Sequence, residues 1–127
     1  MSRYAQWIVH RGKRILFADY SNLRDEVEYL AAFDETEREL LKAPKGVMVP
    51  TLLDVTNTSL STAITERAQK MTAAAKEKGI PDSPTALFGL SGFQKAVVQA
   101  MQFFRRDIRI VGSIEAGKDW LVEQMDK

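Results

Sequence analysis

Short β-branched or aromatic runs alternate along this chain with longer stretches of helical periodicity. Trp7 to Arg11 and Arg14 to Tyr20 are two such runs, and the Gly12-Lys13 pair between them predicts a hairpin. The second run is apolar on both faces, as a central strand requires. Ser21 is the expected cap of a helix over 22–42, with Asp25 and Glu26 in its first turn, where negative charge suits the helix dipole. Leu23, Val27, Leu30, Ala31 and Leu41 form its expected inner face, interrupted by Glu37 and Arg38.

Ala43-Pro44-Lys45-Gly46 ends that helix, and Val47 to Val55 is the next expected strand. Pro50 cannot donate a ladder hydrogen bond, so the strand either bulges there or pairs only after it. A helix from Ser61 to Lys78 follows, with Ile64, Ala68, Met71 and Ala75 on one face and Gly79 as its stop. After a loop over 80–84 come a strand from Thr85 to Gly89, a helix from Phe93 to Arg105, a strand from Ile108 to Val111 and a helix from Ile114 to Met125 capped by Ser113. Trp120 and Leu121 are the expected anchors of that last helix, because Ala116 with Trp120 and Gly117 with Leu121 share faces at helical spacing.

The order β-β-α-β-α-β-α-β-α predicts an α/β fold, a single mostly parallel sheet with an N-terminal antiparallel hairpin. Ile15, Leu16, Phe17, Leu52 and Leu53 belong to its expected central strands and Trp7 to a flanking one. At 127 residues the expectation is one domain over 1–127, large enough to bury a core without disulfides. The 45% hydrophobic and 28% charged composition is that of an ordinary globular chain.

Eighteen basic against seventeen acidic residues leave a net charge of +1, which offers no general field for nucleic acid, so no nucleic-acid partner is expected. With no cysteine and one histidine, His10, neither a thiolate nor a multi-histidine metal site is expected, and no cofactor is implied. His10 reads as a surface or edge residue. The start lacks a signal-peptide core and no run approaches ~18 apolar residues, so the expected location is cytoplasmic.

Four segments, GKRILFADYSNL, LLDVTN, FGLSGFQK and IEAGKDWL, resemble in order and spacing the STAS superfamily (sulphate transporter and anti-sigma-factor antagonist), in particular the SpoIIAA-like group of small stand-alone bacterial domains. The resemblance implies a STAS-like fold and a regulatory protein partner bound at the end of the strand that closes with Asp54. The rim so implied is Asp54, Thr56, Asn57, Thr58, Ser59, Ser61 and Thr62. In the anti-sigma antagonists an Asp-Ser pair stands at the following helix start and its serine is phosphorylated. Ungapped counting from Asp54 places Thr62-Ala63 there, so the standard phosphoswitch is not expected. Ser59, Ser61 and Thr62 are left as phosphate acceptors or, more simply, as helix caps.

The same resemblance implies an alternative, a small apolar molecule or lipid held as in Sec14-type domains, lined by Phe88, Phe93, Val97, Met101, Phe103 and Phe104. Adjacent helical residues point about 100° apart, so Phe103 and Phe104 cannot both face one core line. A homodimer or a bound apolar ligand through one of them is therefore expected, unless the same chain covers it. Gly89, Ser91, Gly92 and Lys95 lie at a strand-to-helix turn, where backbone N–H groups hold an anion or the glycines only permit a tight turn.

Asp19 and Asp54 both end strands. On neighbouring strands they would hold a metal or divide acid and base roles, although such aspartates more often organise turns. Gly89-Leu90-Ser91-Gly92 lacks the glycine that a nucleophile elbow needs at Phe93. No catalytic residue is assigned, and the expected function is a non-enzymatic binding module.

Overall fold

The computed structural model describes residues 4–58, 62–90 and 107–126. β1 (Ala5–His10) and β2 (Lys13–Asp19) are joined by Arg11-Gly12, with φ 51° and 79°. Positive φ at both central residues gives a turn whose twist matches that of the flanking strands. The turn thus sits one residue earlier than the expected Gly12-Lys13, because Arg11 accepts the left-handed conformation.

α1 (Glu26–Leu40) begins later than expected. Its cap is Asp25, whose carboxylate accepts from the N–H groups of Val27 and Glu28 at 2.8 and 3.4 Å. Ser21 caps nothing, since its hydroxyl donates to Asp19 and Asn22 beside it holds φ 65°, which no right-handed helix contains. The inner face is also rotated from the expected one: Tyr29, Ala32, Phe33 and Thr36 are buried, whereas Val27 is 76% exposed and Ala31 is exposed. Leu23 is buried, but from the loop before the helix.

β3 is only Thr51–Asp54, so parallel pairing starts after Pro50, whose carbonyl still accepts from Leu16 N–H at 2.9 Å. α2 (Thr62–Lys78) stops at Gly79, φ 93°. Gly79 N–H donates to Lys76 and Ile80 N–H to Ala75, and buried Ile80 packs against Ala75. This is a Schellman end with its apolar contact. Lys78 Nζ then reaches the carbonyls of Leu41 and Ala43, placing positive charge at the C-terminal end of α1. β4 (Thr85–Phe88), β5 (Ile108–Val111) and α3 (Ile114–Met125, capped by Ser113) complete the described elements. The helix expected over 93–105 lies outside the described residues.

The five strands form one sheet in the order β1-β2-β3-β4-β5, antiparallel between β1 and β2 and parallel elsewhere. α1 and α2 cover one face. There Tyr20, Tyr29 and Phe33 make a mutual aromatic cluster with centroids 5.2–5.6 Å apart, extended by Val55 and Ile64. The Tyr20 hydroxyl is bonded to Thr36, and burial pushes its ionisation well above the ordinary phenol range. Ala68 and Met71 pack against this cluster and Ala75 against a second one around Leu16 and Val49, as the α2 stripe requires.

α3 covers the other face over Ile15, Leu52 and Ala86. Its fully buried anchors are Leu121 and, nearly so, Val122. Trp120 is only half-buried, with the Arg109 guanidinium 5.9 Å from its ring centroid, so of the two expected anchors Leu121 carries the contact. Ile15, Leu16 and Leu52 are fully buried, while Phe17 and Leu53 are half-buried in the same central strands.

Candidate functional site

Parallel pairing sets Asp19 and Asp54 opposite one another at the C-terminal ends of β2 and β3. Each begins a turn of the same wording, Asp19-Tyr20-Ser21-Asn22 and Asp54-Val55-Thr56-Asn57. Asp19 Oδ1 accepts from Ser21 N–H at 3.1 Å and from its hydroxyl at 2.6 Å, and Asp54 Oδ1 accepts from Thr56 N–H at 3.0 Å and from its hydroxyl at 2.6 Å. Short carboxylates bonded to their own backbone two residues on are what tighten such turns. The second residue of each, Tyr20 and Val55, points into the aromatic core, and both turns end on an asparagine with left-handed backbone, φ 65° and 55°. Asparagine tolerates that region better than most residues.

The two turns are tied to each other. Tyr20 N–H donates to the Asp54 carbonyl and Asn22 N–H to the Thr56 carbonyl, both at 2.8 Å, so parallel pairing continues past the strands. The Asn57 side-chain amide donates to Asn22 Oδ1 at 2.9 Å, and Arg24 Nη1 donates to Asn57 Oδ1 at 2.8 Å. Thr58 closes the second turn through its hydroxyl, which donates to the Val55 carbonyl at 2.8 Å. Its further bond to the Tyr29 hydroxyl links the rim to the core. Burial raises the pKa of that phenol, against the pull of this bond.

A third chain segment presses on the rim from β4. Val55 N–H donates to the Phe88 carbonyl, and a Cβ on Gly89 would lie 2.1 Å from Thr56 Oγ1 and 2.7 Å from its backbone. With φ 90° as well, this position excludes any side chain. The close approach accounts for Gly89 without an anion. Phe88 continues the cross-strand row of Asp19 and Asp54 and ends beside Val111, on the face that α3 covers.

Of the expected rim, Asp54, Thr56, Asn57 and Thr58 therefore stand together, and Thr62 is the first residue of α2. Ser59 and Ser61 lie outside the described residues. So do Ser91, Gly92 and Lys95 of the anion reading, and Phe93, Val97, Met101, Phe103 and Phe104 of the apolar one. The residues that sequence reasoning left out are Ser21, Asn22 and Arg24, from the loop before α1. The signal was present: the Asp-x-Ser/Thr-Asn wording recurs at a separation of 35 residues.

Among the described residues no three His, Asp or Glu side chains are grouped to hold a metal, and no helix is long and apolar enough to cross a membrane. His10 lies on the edge strand, where its Nε2–H donates to Asp119 of α3 at 2.8 Å. No protein-family model matches the chain, and no curated protein matches it. Among solved structures it is similar to an uncharacterised protein of the DUF3478 family from Shewanella loihica PV-4, described as having a SpoIIAA-like fold. The two are 16% identical over 92% of this chain and 91% of that one, with a TM-score of 0.67. The fold of this chain is thus SpoIIAA-like, as the segment resemblance implied.

Proposed function

We propose that this domain is a non-enzymatic binding module that takes a regulatory protein on the rim formed by Asp54, Thr56, Asn57 and Thr58, continued in sequence by Ser59, Ser61 and Thr62. The observation that carries the reading is the cross-linked pair of turns, in which Arg24, Asn57 and Asn22 form one chain of side-chain bonds across two loops. A polar surface fixed in this way loses little conformational entropy when a partner binds, which favours recognition. The Asp-Ser pair of the anti-sigma antagonists has no counterpart on ungapped counting from Asp54, so binding here operates without that phosphoswitch.

The test uses immobilised wild-type chain, an Arg24→Ala/Asn57→Gly variant and a Val27→Ala control in extracts of the source cells, with quantitative mass spectrometry. Glycine keeps the left-handed backbone of position 57 while removing the amide. The expected result is a protein retained by wild type and control but depleted at least ~10-fold by the double variant, a loss of about 1.4 kcal/mol. Equal retention by all three would refute the rim as the binding surface.

A further inference from the structure

Among the described residues, β1 borders the sheet with no further strand beyond it. Asp19 N–H donates to the Tyr4 carbonyl at 2.8 Å, which makes Tyr4 and Asp19 a hydrogen-bonded pair of the antiparallel ladder. Bonded and non-bonded pairs alternate in such a ladder, so Gln6, Ile8 and His10 turn their backbone groups toward β2 while Trp7 and Val9 turn theirs outward. The two-residue turn requires the same phase, because it is closed by the His10–Lys13 pair. β1 is the edge of the sheet, and among the described residues nothing bonds the outward N–H and C=O groups of Trp7 and Val9.

Edge strands are ordinarily defended by lysine, proline or a bulge. β1 reads AQWIVH, contains none of these residues, and pairs one to one with β2 from Ala5 to His10 without a bulge. Val9, on this open edge, is 69% exposed.

We propose that β1 is the interface of a homodimer, in which the β1 strands of two copies pair antiparallel about a two-fold axis at Ile8. The outward residues themselves select a second copy of this chain. Trp7 and Val9 flank Ile8 symmetrically, so the axis sets Trp7 opposite Val9 of the second copy and Val9 opposite its Trp7. Each outward N–H and C=O then finds a partner, as an isologous interface demands.

The side chains agree with this register. Trp7 and Val9 share one face of the strand, so the exposed valine of each copy lies across from the indole of the other, an aromatic and β-branched pair of the kind that stabilises sheets. That indole borders a groove of about 320 Å³ lined also by Arg14, Val47 and Met48, the last two 49% and 42% exposed. Charge favours the antiparallel sense as well, because it carries the hairpin tips, with Arg11 and Lys13, to opposite ends of the joint. One continuous sheet would run through both copies.

Sedimentation equilibrium of the full chain over a wide concentration range tests the proposal, alongside Val9→Lys, a Val27→Lys control and hydrogen exchange at the Trp7 and Val9 amides. Wild type and control should pass from one copy to two as concentration rises. Val9→Lys should weaken association at least ~10-fold by placing an unpaired ammonium in the joint. The Trp7 and Val9 amides should exchange more slowly in concentrated than in dilute wild-type protein, a readout that stands even if the lysine variant folds poorly. A chain monomeric throughout, a dimer untouched by a folded Val9→Lys, or amides whose exchange ignores concentration would overturn it.

Discussion

The side-chain amide of Asn57 donates to Oδ1 of Asn22 at 2.9 Å, and the two residues hold nearly the same left-handed backbone, φ 55° and 65°. They are equivalent positions of two turns built alike on adjacent parallel strands. Equivalence of this kind sets neighbouring loops in register and lets their side chains bond across the gap.

Backbone and side chain at position 57 can be separated by substitution. Asn57→Gly removes the bonds to Asn22 and Arg24 but suits the backbone, whereas Asn57→Ala also imposes the left-handed cost of about 1–2 kcal/mol. Urea denaturation should therefore rank the alanine variant below the glycine variant by about that amount. Equal midpoints would mean that the turn relaxes out of the left-handed region at no cost.

Gly89→Ala should be among the most damaging single changes in the described chain. Its Cβ would meet the Thr56 backbone at 2.7 Å as well as the hydroxyl at 2.1 Å, and φ 90° adds strain. A loss of about 3 kcal/mol or more is expected. Trimming the neighbour in a Gly89→Ala/Thr56→Ala variant should not restore stability, because the backbone contact persists. Full recovery in the double variant would place the conflict at the hydroxyl alone.

The sheet was legible in the sequence because its signal is local: β-branched runs such as ILFA and TLLD alternate with helical stretches, and strand burial on both faces leaves little ambiguity. The inner face of α1 was not. Its apolar positions include Val27 and Ala31, which face solvent, while Thr36 is buried through its bonds to Tyr20 and the Ala32 carbonyl. Periodicity counts a threonine as polar and cannot anticipate that pairing. Half of the rim was legible from Asp54 to Thr58. The pairing of Asp19 with Asp54 on neighbouring strands is legible as well, whereas Ser21, Asn22 and Arg24 follow only from the shared wording of the two turns.

Asp119 couples the hairpin tip to α3. Its carboxyl is held below the usual range, first by the hydrogen bond from His10 and then by the charge of Arg11, 3.3 Å away. A folded pKa below the unfolded value of about 3.9 stabilises the fold above that value, and the contribution is lost as pH falls through the folded pKa. The melting-temperature gap between wild type and Asp119→Asn should therefore be present at pH 6 and close as pH falls through the folded pKa. Because the group is half-exposed, the gap should be small and shrink with added salt. A gap that widens on acidification would reverse the sign of this linkage.

The docking of α3 rests on Gly117 and Leu121, one helical turn apart on its inner face. Leu121 is fully buried over Ile15, Leu52 and Ala86, so Leu121→Ala should cost about 2–5 kcal/mol. Trp120→Ala should cost less, since its ring is only half-buried. Gly117→Ala sets two effects against each other. Alanine is the better helix former by about 1 kcal/mol, yet its Cβ would stand 2.8 Å from Leu52 Cδ1 and 3.2 Å from Val111 Cγ2. Leu52 is itself fully buried and has no solvent to move into, so crowding should win by about 1–3 kcal/mol. Thermal denaturation of the three variants checks the ranking. A Gly117→Ala protein more stable than wild type would show that α3 can lift from the sheet without loss.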